Sequence, residues 1–187
     1  PNNNTHPISA ATRQRIEHAM RELDFRPNQI ARSLASRRSN IVALTFPGTD
    51  GDAKGFALKL DKPDFESGVV ASQPGLLFSP QQITNGFIQA RYGDFTVQSG
   101  DRFQATVGCQ AGATSCYVAY RLDYEVGGSI RTFWTFREKY EGWTYNVNLN
   151  LSSLAGQDVK FILVTSAYGS PTGDRSLWVN PIISRAG

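Results

Sequence analysis

The side chains best suited to binding chemistry in this 187-residue chain are flat, and they lie in its last third. Trp134, Tyr140, Trp143, Tyr168 and Trp178 are interleaved there with Arg137, Glu138, Glu141, Asp174 and Arg175. Aromatic rings stack on the apolar faces of ring-shaped ligands such as pyranoses, and planar polar groups hydrogen-bond the hydroxyls around them. Trp134, Tyr140, Tyr168, Asp174, Arg175 and Trp178 form the expected ligand-binding set. Tyr168 ends a strand-like run just before Gly169, the best loop position for a ligand contact. Trp178 points away from both Leu177 and Val179, so one of these two faces is expected to be outward. Trp143 shares a face with Leu149 in an alternating run and is expected in the core.

Catalysis is not expected. A glycosidase needs two carboxylates about 5–10 Å apart, which Glu138 with Glu141 or Asp123 with Glu125 could supply, but such pairs on a β surface are usually solvated. His6 and His18 are the only histidines, so everything after residue 18 is without a His triad, a His general base or a His metal ligand. Asp50, Asp52, Asp61 and Asp174 could contribute oxygens to a structural calcium, yet their spacing matches no EF-hand loop. No other cofactor is implied. Cys109 and Cys116 flank a Gly/Ala/Ser/Thr-rich turn. They can close a disulfide at a hairpin mouth or remain a reduced buried pair, and they do not have zinc spacing.

The elements that carry these residues have period two. DRFQATVGC, CYVAYRLDYEV, SIRTFWTFREKY, GWTYNVNLNL, VKFILVTSAY and SLWVNPIIS are short runs separated by turn signals, which predicts an antiparallel β-sandwich, mainly β in class and jelly-roll-like. Val159 to Val164 is apolar on both faces and reads as a central strand. Residues 48–55, polar and glycine-rich, read as a linker. The expected division is residues 1–48, a linker over 49–55, and a sandwich over 56–187. No run approaches the ~18–20 apolar residues of a membrane helix.

The first 48 residues differ in charge and period. They hold seven arginines against three acids, whereas the remainder holds twelve cations against thirteen acids. Ile16, Ala19, Met20 and Leu23 form the stripe of an amphipathic helix over Ser9–Phe25, stopped by Pro27. A second short helix is expected over Asn28–Ala35, then a strand in NIVALTFPG. The string ISAATRQRIEHAMRELDFRPNQIARSLASRRSNIVAL resembles the end of the DNA-binding headpiece of LacI/GalR-family repressors, over residues 3–46. That resemblance implies phosphate contacts at Asn3, Ser9, Thr12 and Asn28, a minor-groove wedge at Leu34 flanked by Ala31 and Arg32, and a basic tail at Arg37 and Arg38. It also implies a hinge helix that works in a homodimer. The family's recognition helix and effector domain have no counterpart here, so only weak, salt-sensitive DNA affinity is expected.

The C-terminal run, with L-x-x-L-A-G-x-x-V-x-F-x-L and a closing G-D-x-x-x-W strand, resembles the jelly-roll carbohydrate-binding modules of bacterial secreted and surface proteins. Two readings follow. The leading one is a non-enzymatic, cytoplasmic, LacI-derived transcriptional regulator whose effector domain is replaced by a ligand-binding sandwich. The alternative is a secreted or surface carbohydrate-binding module with a silent N-terminal extension.

Overall fold

The computed structural model describes the strand backbone of residues 41–45 and all of residues 55–185. Both expected helices, the linker as far as Lys54, and all nine residues assigned to DNA lie outside the described residues. A compact unit runs from Asn40 to Gly187.

Ten strands build it: β1 (Ile41–Thr45), β2 (Phe56–Leu60), β3 (Gly75–Ser79), β4 (Phe87–Thr96), β5 (Arg102–Cys109), β6 (Tyr117–Val126), β7 (Ser129–Lys139), β8 (Tyr145–Asn150), β9 (Asp158–Ala167) and β10 (Ser176–Ser184). They form two antiparallel five-stranded sheets, ordered β1-β4-β9-β6-β7 and β2-β3-β10-β5-β8. The protein is a mainly β sandwich. β1 pairs with β4, so the strand that the sequence reading grouped with the N-terminal part belongs to the first sheet. β9 stands third of five in that sheet, which explains why its apolar run is continuous: Val159, Ile162, Leu163 and Val164 are all fully buried.

The alternation of β6 decides what fills the middle. Val118, Tyr120 and Leu122 are buried while Tyr117, Ala119 and Arg121 are not. Tyr120 reaches across to Trp178 of the other sheet, ring centroids 5.1 Å apart and edge-on, with Phe103 and Trp134 packing on the same indole. The Tyr120 hydroxyl donates to the Gly108 carbonyl and accepts the Leu177 N–H. Thr165 Oγ1 on the first sheet lies 3.2 Å from both Trp178 Nε1 and Ser176 Oγ on the second. These three hydroxyls and the indole N–H thus find partners inside the sandwich, as burial requires.

The first half of β10, from Ser176 to Val179, is buried on both faces. Leu177 and Val179 turn away from Trp178, yet they form a second apolar cluster with Leu77 and with Phe65 from the segment after β2. That segment is pinned by β-bridges from Asp64 to Val70 and from Phe65 to Gln110. This corrects the expectation for Trp178: neither face of β10 is outward here, because Phe65 lies over the other one, and the indole is 0% exposed.

Candidate functional site

Tyr168 and Tyr117 form the aromatic surface at one end of the sandwich. Their ring centroids are 4.7 Å apart, tilted by 51°, and the rings remain 41% and 37% exposed. The Arg137 guanidinium, on the outward face of β7, sits 4.3 Å from the centre of the Tyr168 ring, a cation–π contact. No hydrogen bond within the described residues occupies either phenol hydroxyl.

The backbone fixes both rings. The Tyr168 N–H donates to the Tyr117 carbonyl at 2.9 Å, and the Tyr117 N–H donates to Asp174 Oδ1 at 2.9 Å. Asn85 holds the residue after Tyr168 from both sides, its N–H on the Gly169 carbonyl and its Oδ1 accepting the Gly169 N–H. Asn85 does this with φ 57 and Gly169 with φ 103, left-handed values that asparagine tolerates and glycine adopts freely. Ser115 Oγ donates to the Thr172 carbonyl, joining this loop to the cysteine loop. Burial holds the Asp174 carboxyl above the usual carboxylate range, at about 6, against the opposing Tyr117 N–H bond.

Next to this surface lies a cluster of carboxylates. Glu66 accepts the N–H groups of Cys109, Glu141 and Gly142. Glu138, at the inward end of β7, is 1% exposed, and among the described residues neither of its oxygens meets a donor. Burial first, then the Glu66 and Glu141 carboxylates, push Glu138 up to about 9, so it holds a proton at neutral pH. Glu66, Glu138 and the Cys109 sulfur approach within 4.8 Å of one another. The sulfur is bonded to Cys116, so it supplies no thiolate for a metal.

The Cys109–Cys116 disulfide closes this end of the β5–β6 connection, with a Cα–Cα distance of 6.2 Å. Closing so short a loop removes ~2–3 kcal/mol of entropy from the unfolded chain. Reduction, or paired Cys109→Ser and Cys116→Ser changes, is therefore expected to lower the melting temperature by about 5–10 °C. A scanning-calorimetry trace unmoved by reductant would refute that role.

The expected ligand set divides. Tyr168 and Asp174 come together through Tyr117, and Tyr140 is tied to the same end by its N–H on the Cys116 carbonyl. The Arg175 carbonyl accepts the Gln110 N–H, while the buried Arg175 Nε has no partner among the described residues. Trp134 and Trp178 are elsewhere: Trp134 stacks on Phe136 and meets Trp178 edge-on at the rim of the core. Trp143, expected in the core, is 65% exposed, because β8 begins only at Tyr145 and leaves it on the preceding turn. The Asp123–Glu125 pair is engaged by cations. Asp123 takes Arg121, and Glu125 takes Arg91 and Lys160. Of the carboxylates considered for calcium, Asp50 and Asp52 lie outside the described residues, and Asp61 and Asp174 belong to no described group of three or more potential ligands.

Tyr117 was missed as a candidate. Its signal was the alternation of β6, which turns it outward beside Cys116 as Val118 and Tyr120 turn inward.

No family model and no curated protein matches the chain. Among solved structures it is similar to CBM51 from Clostridium perfringens GH95 in complex with methyl-galactose, at 14% identity over 77% of this chain and 94% of that one, TM-score 0.51. It is also similar to TmCBM61 in complex with beta-1,4-galactotriose, at 10% identity over 77% of this chain and 88% of that one, TM-score 0.50. At such identities the likeness shows the fold, a β-sandwich shared with carbohydrate-binding modules. Among the described residues no helix is long and apolar enough to cross a membrane.

Proposed function

We propose that this protein is a non-catalytic carbohydrate-binding module, a jelly-roll-like sandwich that takes a saccharide on the end formed by Tyr117, Tyr168 and Arg137. The observation that carries the reading is the pair of exposed phenols held by backbone hydrogen bonds on both strands. Two rings offer apolar area for a pyranose face. Two hydroxyls and a guanidinium offer donors for its oxygens, with little conformational entropy left to lose on binding. The disulfide supports an oxidising, extracytoplasmic setting. These supports fall on the second of the two sequence readings. No observation favours the DNA-binding regulator, whose assigned residues all lie outside the described part.

A glycan array of the full chain tests this, with galactose-containing glycans as the first probes. Tyr168→Ala is expected to weaken any hit by about 10–100-fold, the effect of losing ~1.5–3 kcal/mol of aromatic burial. Unchanged affinity in that variant would remove the assigned site, and silence across the array would remove the function.

A further inference from the structure

We infer that Trp143 is a second stacking contact of the same site, so that the ligand is an oligosaccharide of two or more pyranose units rather than a single sugar. The inference rests on the carbohydrate reading above. It starts from continuity along the surface. Lys139 lies directly opposite Tyr117 in the β6–β7 ladder, its Nζ is 3.9 Å from Glu141 Oε2, and Trp143 follows two residues on. From Tyr168 the neighbours run through Arg137 and Tyr117 to Lys139 and Glu141, two residues before the indole.

The turn that carries Trp143 is built, not slack. Glu66 accepts the N–H groups of both Glu141 and Gly142, and Gly142 takes φ 86, where a side chain would strain the backbone. The Tyr145 hydroxyl donates to Glu141 Oε1 at 2.7 Å. The Trp143 carbonyl lies against β5, 3.3 Å from where a Cβ on Gly108 would stand. Backbone contacts hold the turn at each side, yet the indole itself makes no ring contact among the described residues and stays in water. A tryptophan on a fixed backbone, unused by the fold and flanked by Lys139 and Glu141, has what a sugar ring needs: an apolar face with hydrogen-bonding groups at its edge.

Calorimetric titration of the full chain with methyl-galactose, beta-1,4-galactobiose and beta-1,4-galactotriose tests it. The intact protein is expected to bind the trisaccharide at least tenfold more tightly than the monosaccharide. Trp143→Ala should bring that ratio close to one while leaving monosaccharide affinity within twofold, and Trp143→Phe should restore part of the gain. Because the indole is exposed, these variants are expected to fold normally. An unchanged ratio in Trp143→Ala, with Tyr168→Ala still defective, would overturn this inference and leave the carbohydrate reading standing. Equal loss for every length would make Trp143 the primary contact and overturn it also. No binding of any length to the intact protein would contradict both.

Discussion

Replacing Trp178 with alanine is expected to lower the unfolding free energy by about 3–5 kcal/mol. The indole is fully buried and touches Tyr120, Phe103 and Trp134 from three other strands, so no single neighbour can move in to fill the space. Its Nε1 also serves Thr165 Oγ1, whose remaining partner is Ser176. Domains of this kind are stable by ~5–15 kcal/mol in total, so the variant should keep only part of its stability. Denaturant unfolding measures this, as a lowered midpoint with an unchanged slope. Trp143→Ala, by contrast, should fall within about 0.5 kcal/mol of the parent, as surface changes do. A loss below 1 kcal/mol for Trp178→Ala would mean that the centre of the sandwich is not where this indole lies.

The second large effect is a loss of stability as pH rises. The Glu138 carboxyl is held at about 9 in the folded protein against 4.5 as its ordinary value. Between these values the folded state keeps a proton that the unfolded chain has released. The stabilisation is therefore complete below pH 4.5 and is lost as pH rises through 9. The groups that face Glu138 are Glu66 from the segment after β2, Glu141 from the β7–β8 turn, Tyr120 of β6 and Tyr145 of β8. None of these four is a cation, so none of them compensates the charge that Glu138 gains once the proton leaves. Asp174, raised to about 6, acts in the same direction but only up to that pH. The melting temperature is thus expected to fall between pH 6 and 9.5 by an amount on the order of a few kcal/mol in stability. Glu138→Gln, which keeps the shape without the titration, should flatten that segment of the curve. An identical decline in the variant would assign the effect to other groups.

How much of this was legible in the sequence depended on whether the deciding contact was local. Period-two alternation found β6 and β8, and the two-sided apolar run of β9 marked it as central, because a strand flanked on both sides and both faces has no wet surface to encode. Trp178 could not be placed that way. Whether Leu177 faces water depends on Phe65, more than a hundred residues earlier, folding back over β10, and no pattern within β10 carries that information. Trp143 failed for the opposite reason: the alternation continues through it, but the strand starts two residues later, since Glu66 captures the preceding turn. Glu66 itself has no sequence signal beyond being a glutamate in a turn. The pairing of Tyr117 with Tyr168 was half visible, as a loop tyrosine on one side and an outward strand position on the other. Their proximity is a property of the β6–β9 register, in which Val118 stands opposite Ala167.

The central claim is that a saccharide occupies the Tyr117–Tyr168 end of the sandwich, and the most direct test is to map the perturbed residues by NMR as beta-1,4-galactotriose is titrated into the full-length protein. Shifts are predicted at Tyr117, Tyr168 and Gly169, at the Arg137 side chain, and at Trp143 Nε1, with Trp178 Nε1 unmoved. A saturable response confined to other surfaces, or no response at millimolar sugar, would contradict the account.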